Sequence, residues 1–200
     1  PYLVKRAHDT FHLTKLTAED FKDGRPHAII GLVPGEIISE DAGYIDHIDV
    51  EYDILKVAVI ERHKNTHHIG LGYIKGYGLK SGAVATSISH DSHNIIVVGT
   101  NEEEMAAAAN RIVENHGGIT VMENGNVLGE VTLAIAGIMS DDPLVMVNSA
   151  LESAKDEAFR LGVSRDIDPF MTLSFMALPV IPSLRLTTRG VFDVLTQRYV

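Results

Sequence analysis

Glycines alternate with apolar and aromatic residues through Ile69-Gly70-Leu71-Gly72-Tyr73-Ile74-Lys75-Gly76-Tyr77-Gly78-Leu79, and no other segment restricts the fold as strongly. A glycine inside a strand weakens it unless another backbone has to come close. The interleaved Leu71, Tyr73 and Tyr77 therefore predict strands or bulges lying against other backbone. A nucleotide-binding loop is disfavoured: the spacing is G-x-G-x-x-x-G, no Walker-type Lys-Ser/Thr follows, and neither does a helical pattern.

On either side the chain alternates between strand and helix signals. His27 to Val33 reads as a strand ended by Pro34-Gly35, with Glu36-Ile37-Ile38 as a second. Leu55 to Glu61 and Asn94 to Val98 are apolar, β-branched runs of the kind found in buried strands. Asn124-Gly125, between Ile119–Glu123 and Val127–Ile135, is the strongest hairpin signal. Thr100 with Glu103 predicts a capping box for a helix running to about Asn115 and stopping at Gly117-Gly118. A second helix is expected from Ser140-Asp141-Asp142, with Pro143 in its first turn, to Gly162. Thr17 opens a possible short helix, and the apolar stretch from Phe170 to Ile181 must pack against something. The mixture predicts an α+β fold, with mixed sheets and packed helices in a layered sandwich. Residues 1–25, polar and mixed, read as a connector, and residues 26–200 as the domain.

Charge narrows the partners. With a formal net charge of −10 and 17 dispersed basic residues, the chain lacks the clustered cations that nucleic acid requires. A neutral small molecule or a protein fits better. No apolar run approaches the roughly 18 residues of a membrane span, and the first residues lack the core of a signal peptide. The absence of cysteine removes disulfides, thiolate metal sites and cysteine nucleophiles. A cytoplasmic location is expected.

Two polar constellations stand at strand ends. Ser89, His90, Asp91, His93 and Asn94 lead into the strand at Ile95, offering donors and acceptors that can hold a planar heterocycle by its edge or shuttle a proton. The bland alternative is a turn satisfying its own backbone. Glu61, Arg62 and His63, followed by Lys64, His67 and His68, can bind a carboxylate or phosphate, or simply form a solvated loop. Metal binding is not expected, because adjacent His67 and His68 diverge on a strand and His90 with His93 needs a third ligand.

Taken together, Ile60-Glu61-Arg62-His63, the glycine segment from Gly70 to Lys80, Gly82-Ala83 and Ser89-His90-Asp91-Ser92-His93-Asn94 through Gly99 resemble the C-terminal domain of adenine deaminases, in the amidohydrolase superfamily. Pro34-Gly35-Glu36-Ile37, Gly137-Ile138-Met139-Ser140, Asp168 through Phe175 and Leu178 through Pro182 extend the resemblance, nearly collinearly, from about residue 26 onward. One departure is His67, which stands where the family's loop usually carries glycine. The resemblance implies hydrolysis of adenine to hypoxanthine and ammonia by a binuclear divalent metal centre, manganese or iron, in a TIM-like barrel. That barrel is expected to precede residue 1, so that this chain is a fragment of the larger enzyme with no catalytic residue or cofactor of its own. The barrel, adenine and a second copy in a homo-oligomer are then its expected partners. Ser89, His90, Asp91, His93, Asn94, Arg62 and His63 are the substrate-side candidates, directly or through a neighbouring residue. Two alternatives are a purely structural, oligomerising module and a self-sufficient metallohydrolase built from His63, His67, His68, His90 and His93.

Overall fold

The computed structural model describes residues 2–200. Eight strands form one mixed sheet: β1 (His27–Leu32), β2 (Ser39–Ile45), β3 (Ile54–Ile60), β4 (Ile69–Lys75), β5 (Ala83–Thr86), β6 (Ile95–Gly99), β7 (Gly118–Glu123) and β8 (Asn126–Thr132). Their spatial order is β2-β1-β4-β3-β6-β5-β7-β8. Only β1 and β4 run parallel; the other neighbours are antiparallel. β9 (Leu184–Thr187), β10 (Gly190–Asp193) and β11 (Arg198–Tyr199) make a smaller antiparallel sheet. The helices are α1 (Tyr2–His8), α2 (Glu102–Glu114), α3 (Leu144–Arg160) and α4 (Pro169–Met176), with a 3-10 turn at Ala18–Phe21.

Strand alternation sends each side chain to one of two cores. Ala58, Ile60, Leu71, Ala85 and Val97 face α2 and the 3-10 turn, where Phe21, Met105, Ala109 and Ile112 complete the packing. Val57, Val59, Ile74, Ile96 and Val98 face the other way, onto Ala158, Phe170, Leu173, Leu186 and Val191. The chain is thus an α+β sandwich of three layers. Lys56, only 6 % exposed, is held within it by the Phe21 carbonyl at 2.9 Å and Glu102 at 2.6 Å.

The glycine segment does what its composition predicts. Gly70 and Gly72 lie on the β4 face covered by β9 and β10. A Cβ on Gly70 would land on the backbone of Thr187 and Gly190, and one on Gly72 would meet Val191 at 2.8 Å. At the other end, Gly78 has φ +92°, and its Cβ would meet the Gly162 carbonyl at 2.7 Å.

Three boundary expectations are corrected. Glu36–Ile38 is not a strand: Ile37 and Ile38 are exposed and the strand starts at Ser39, because the Ile37 carbonyl is taken by Arg185 at 2.6 Å rather than by the sheet. Thr100 is not the N-cap of α2. Its hydroxyl binds the Gly82 carbonyl at 3.1 Å, and Asn101 accepts from the Glu104 amide at 2.8 Å instead. The second long helix begins at Leu144 rather than at Ser140, with Pro143 in the capping position. The hairpin at Asn124-Gly125 and the short helix opened by Thr17 form where expected.

Gly70→Ala should destabilise the fold by roughly 3 kcal/mol or more, because two rigid backbones must separate. Gly125→Ala, with open space around its Cβ position, should cost only about 1 kcal/mol, the left-handed backbone being the sole penalty. Urea denaturation of the two variants checks the difference.

Candidate functional site

Sheet register brings the two polar constellations to one edge of the molecule. Ile60 pairs with Ile69 on one side and Ile95 on the other, so the 61–68 loop and the 87–94 loop leave adjacent strands at the same end. They are joined there: His63 Nε2 lies 2.7 Å from the Ser92 carbonyl, and the Arg62 amide donates to Asn94 Oδ1 at 3.3 Å.

Arg62 organises this edge. Its side chain is 1 % exposed, and its guanidinium donates to the Thr10 carbonyl at 2.8 Å, the Thr10 hydroxyl at 3.0 Å, the Ala136 carbonyl at 2.9 Å and the His93 carbonyl. The Phe11 ring stacks 4.2 Å beneath it. Burial pulls its pKa down to about 10, which still leaves it cationic at neutral pH. With its donors directed at protein carbonyls, Arg62 positions loops. Glu61 likewise serves its own loop, accepting from the His63 amide at 2.6 Å, the Lys64 amide at 2.9 Å and Thr66 at 3.1 and 3.0 Å. His67 has φ 59°, a left-handed conformation that glycine adopts without penalty, which explains why glycine suits that position.

The 87–94 loop is partly self-satisfied and partly open. Ser87 donates to the Gly137 carbonyl at 2.5 Å and accepts from the Gly118 amide at 2.8 Å, and the His93 amide binds the Ser89 carbonyl at 2.6 Å. Ser89 is fully buried with no partner for its hydroxyl. The rings of His90 and His93 meet edge to face at 5.7 Å, and His90 packs on Phe175 of α4 at 5.4 Å. His93 Nδ1 is buried without a partner. Burial holds the His93 imidazole below its ordinary pKa, and the nearby His90 and Arg62 act in the same direction. Asp91 is exposed, while Asn94 is 7 % exposed and gives one amide hydrogen to Ser92 Oγ at 3.0 Å. A cavity of about 280 Å³ opens beside Asp91, Ser92 and Asn94, with Val59, Ala177 and Leu186 among its walls.

No three His, Asp or Glu side chains converge as a ligand set among the described residues. His63, His67, His68, His90 and His93 therefore do not fit a binuclear metal centre, and the self-sufficient metallohydrolase has no geometric basis. Among the described residues, no helix is long and apolar enough to cross a membrane.

Residues 36–198 match the family described as Adenine deaminase C-terminal domain. The chain belongs to that family. An adenine deaminase of Bacillus subtilis (strain 168) is 53% identical over 146 residues, covering 73% of this chain and 25% of that protein. One from Bacillus velezensis is 44% identical over 197 residues, 93% of this chain and 34% of the relative. Adenine deaminase 1 of Rhizobium johnstonii is 47% identical over 174 residues, 83% of this chain and 30% of the relative. The chain thus spans about a quarter to a third of the length of these curated relatives.

Of the predicted site residues, the structure gathers His63, Ser89, His90, Asp91, His93 and Asn94 at one edge and turns Arg62 inward beneath them. His67 reaches towards Thr14 at 3.4 Å instead. Sequence reasoning missed Thr10, Phe11 and Phe175, which adjoin the site from distant segments. The signals for Phe175 are the apolar stretch that must pack somewhere and the resemblance over Asp168 through Phe175.

Arg62→Met should cost on the order of 3 kcal/mol or more, because the Thr10, His93 and Ala136 carbonyls lose their buried donor; chemical denaturation measures it. A histidine whose folded pKa lies below its unfolded value destabilises the fold as it becomes protonated. His93 should therefore remove stability as the pH falls below about 6.5 and through its lower folded value. Melting temperatures between pH 7 and 5 should fall less steeply in His93→Gln.

Proposed function

We propose that this chain is the C-terminal domain of an enzyme that hydrolyses adenine to hypoxanthine and ammonia, and that it closes over the substrate beside a metal-bearing amidohydrolase barrel. The observation that carries the reading is family membership at 44 to 53% identity, joined to a polar edge that holds unpartnered hydrogen-bonding groups and, among the described residues, no ligand set for a metal. The water-activating metal pair, manganese or iron, belongs to the portion of the relatives that this chain does not match. The enzyme would work in the cytoplasm, in adenine catabolism and purine salvage, as a homo-oligomer.

In this reading residues 1–25 are the connector to the barrel, and residues 26–200 are the working domain. His90, Asp91, His93 and Asn94 face the purine or the groups that hold it, with Ser89 and His63 supporting them. Arg62 is a positioning residue, because its guanidinium fixes the His93 carbonyl. His93, held neutral by burial, can accept or donate one hydrogen bond at an uncharged ring, which suits a neutral purine. A purely structural module is the second reading, favoured by the exposed apolar residues Leu144, Val145 and Met146 at the start of α3.

Replacing His90 and His93 together with Ala in an enzyme that carries the barrel should lower adenine turnover several-fold while the domain stays folded. Unchanged kinetics in that folded variant would remove the purine-facing assignment and leave the structural reading.

A further inference from the structure

We propose that a groove along α4, between Ile37 and the start of α3, is the docking face for a basic, apolar-anchored segment of the same polypeptide, drawn from the part that the longer relatives carry beyond this chain's match. That such a part is attached rests on the function proposed above; the chemistry of the segment follows from the groove itself.

Two hollows meet at one methionine. The first, of about 200 Å³, is walled by Leu32, Ile37, Ile167, Phe175 and Met176. The second, of about 140 Å³, lies among Ile88, Ile119, Leu151 and Phe170. Asp168 and Met171 line both, so the two form one groove that Met171, 41 % exposed, divides. Leu144, Val147, Leu151 and Lys155 share one stripe of α3. That stripe carries the apolar surface from the second hollow out to Leu144, which is 82 % exposed. Each hollow is smaller than the roughly 300–1,000 Å³ of a small-molecule pocket and has room for one side chain. Apolar surface of this extent, rimmed by polar residues, is the mark of a contact between polypeptides.

Charge selects the occupant. Glu36, Asp166 and Asp168 border the groove, and the exposed Asp141 and Asp142 precede Leu144. Lys155 is the one cation lining either hollow among the described residues, and Asp168 already holds it at 2.9 Å. The remaining carboxylates call for Lys or Arg at the margins of an apolar segment. A second copy fits badly, because its own exposed apolar tip, Leu144 to Met146, brings Asp141 and Asp142 with it. A free partner also fits badly: two side-chain-sized hollows are small against the roughly 1,000 Å² that a stable complex buries. A tethered segment needs less surface, since it docks at an effective concentration of millimolar order. The relatives have such a tether to offer, as this chain covers 25 to 34% of their length.

Docking here reaches the polar edge through α4. Phe175 walls the first hollow and packs on His90 at 5.4 Å, and the Ser174 carbonyl accepts from the His90 amide at 3.2 Å. An occupied groove would therefore hold α4 against the 87–94 loop.

The test is photocross-linking in an enzyme that carries the barrel, with a benzophenone amino acid placed at Met171 and, separately, at Ile37. Irradiation should join each position to the unmatched part of its own polypeptide, within a few residues of a Lys or Arg. Mixing isotope-labelled with unlabelled copies separates intrachain from interchain products by mass. Glu36→Lys combined with Asp166→Lys should lower the intrachain yield about threefold, the scale of exposed ion pairs. The circular dichroism of that variant should be unchanged, because both residues are exposed. Products formed only between copies, only within residues 1–200, or at neither position would overturn the docking face. A yield indifferent to the double charge reversal would overturn the basic chemistry of its occupant. Intrachain products in an enzyme that leaves adenine untouched would break the proposed function and leave the docking face standing.

Discussion

A guanidinium buried without a carboxylate holds the polar edge of this molecule together. Arg62 sits at the end of β3, where four acceptors from three distant segments converge on it. An unpaired buried charge is costly unless hydrogen bonds replace its lost water, and here carbonyls and one hydroxyl do so. The same bonds fasten the Thr10–Phe11 segment, the His93 turn and the loop at Ala136 to one another. Arg185 repeats the device at the other sheet: fully buried, it donates to Ser39 Oγ at 2.6 Å and to the carbonyls of Leu184 at 2.7 Å, Ile37 at 2.6 Å and Pro182 at 3.0 Å. Burial lowers both guanidinium pKa values to about 10, which leaves each cationic at neutral pH. Planar, multi-donor geometry makes arginine the residue for such a role.

The second constraint is steric. Glycines on one face of β4 let the small sheet approach until backbone meets backbone, and that contact leaves Leu186 and Thr187 beside the mouth of the cavity. The α4 segment fills the space alongside, bringing Phe175 onto His90 and Ala177 to the cavity wall. One loop therefore has two different surroundings: an aromatic one for His90 and His93, and an open, acidic one for Asp91 and Ser92.

The N-terminal segment shows how composition alone understates packing. Residues 1–25 are polar on average, yet Leu16 and Phe21 are buried, and Asn110 clamps Leu16 through both its amide and its carbonyl at 2.9 and 2.8 Å. A few apolar residues at the right intervals are enough to dock a segment on a helix and a sheet, and averages over the segment conceal them.

Patterns local to the chain were legible from the sequence: β-branched runs became β3 and β6, Asn124-Gly125 became the hairpin, and the alternating glycines announced a close backbone approach. The polar residues of the two loops could also be named. These signals survive in one dimension because they reflect backbone sterics and side-chain alternation over a few residues. What faces what did not survive. That Arg62 turns inward, that Glu36–Ile38 yields its carbonyl to Arg185 instead of pairing as a strand, and that His90 rests on Phe175 depend on partners tens of residues away. Only the packed layers decide those contacts, since a buried donor takes whichever acceptor the fold delivers to it.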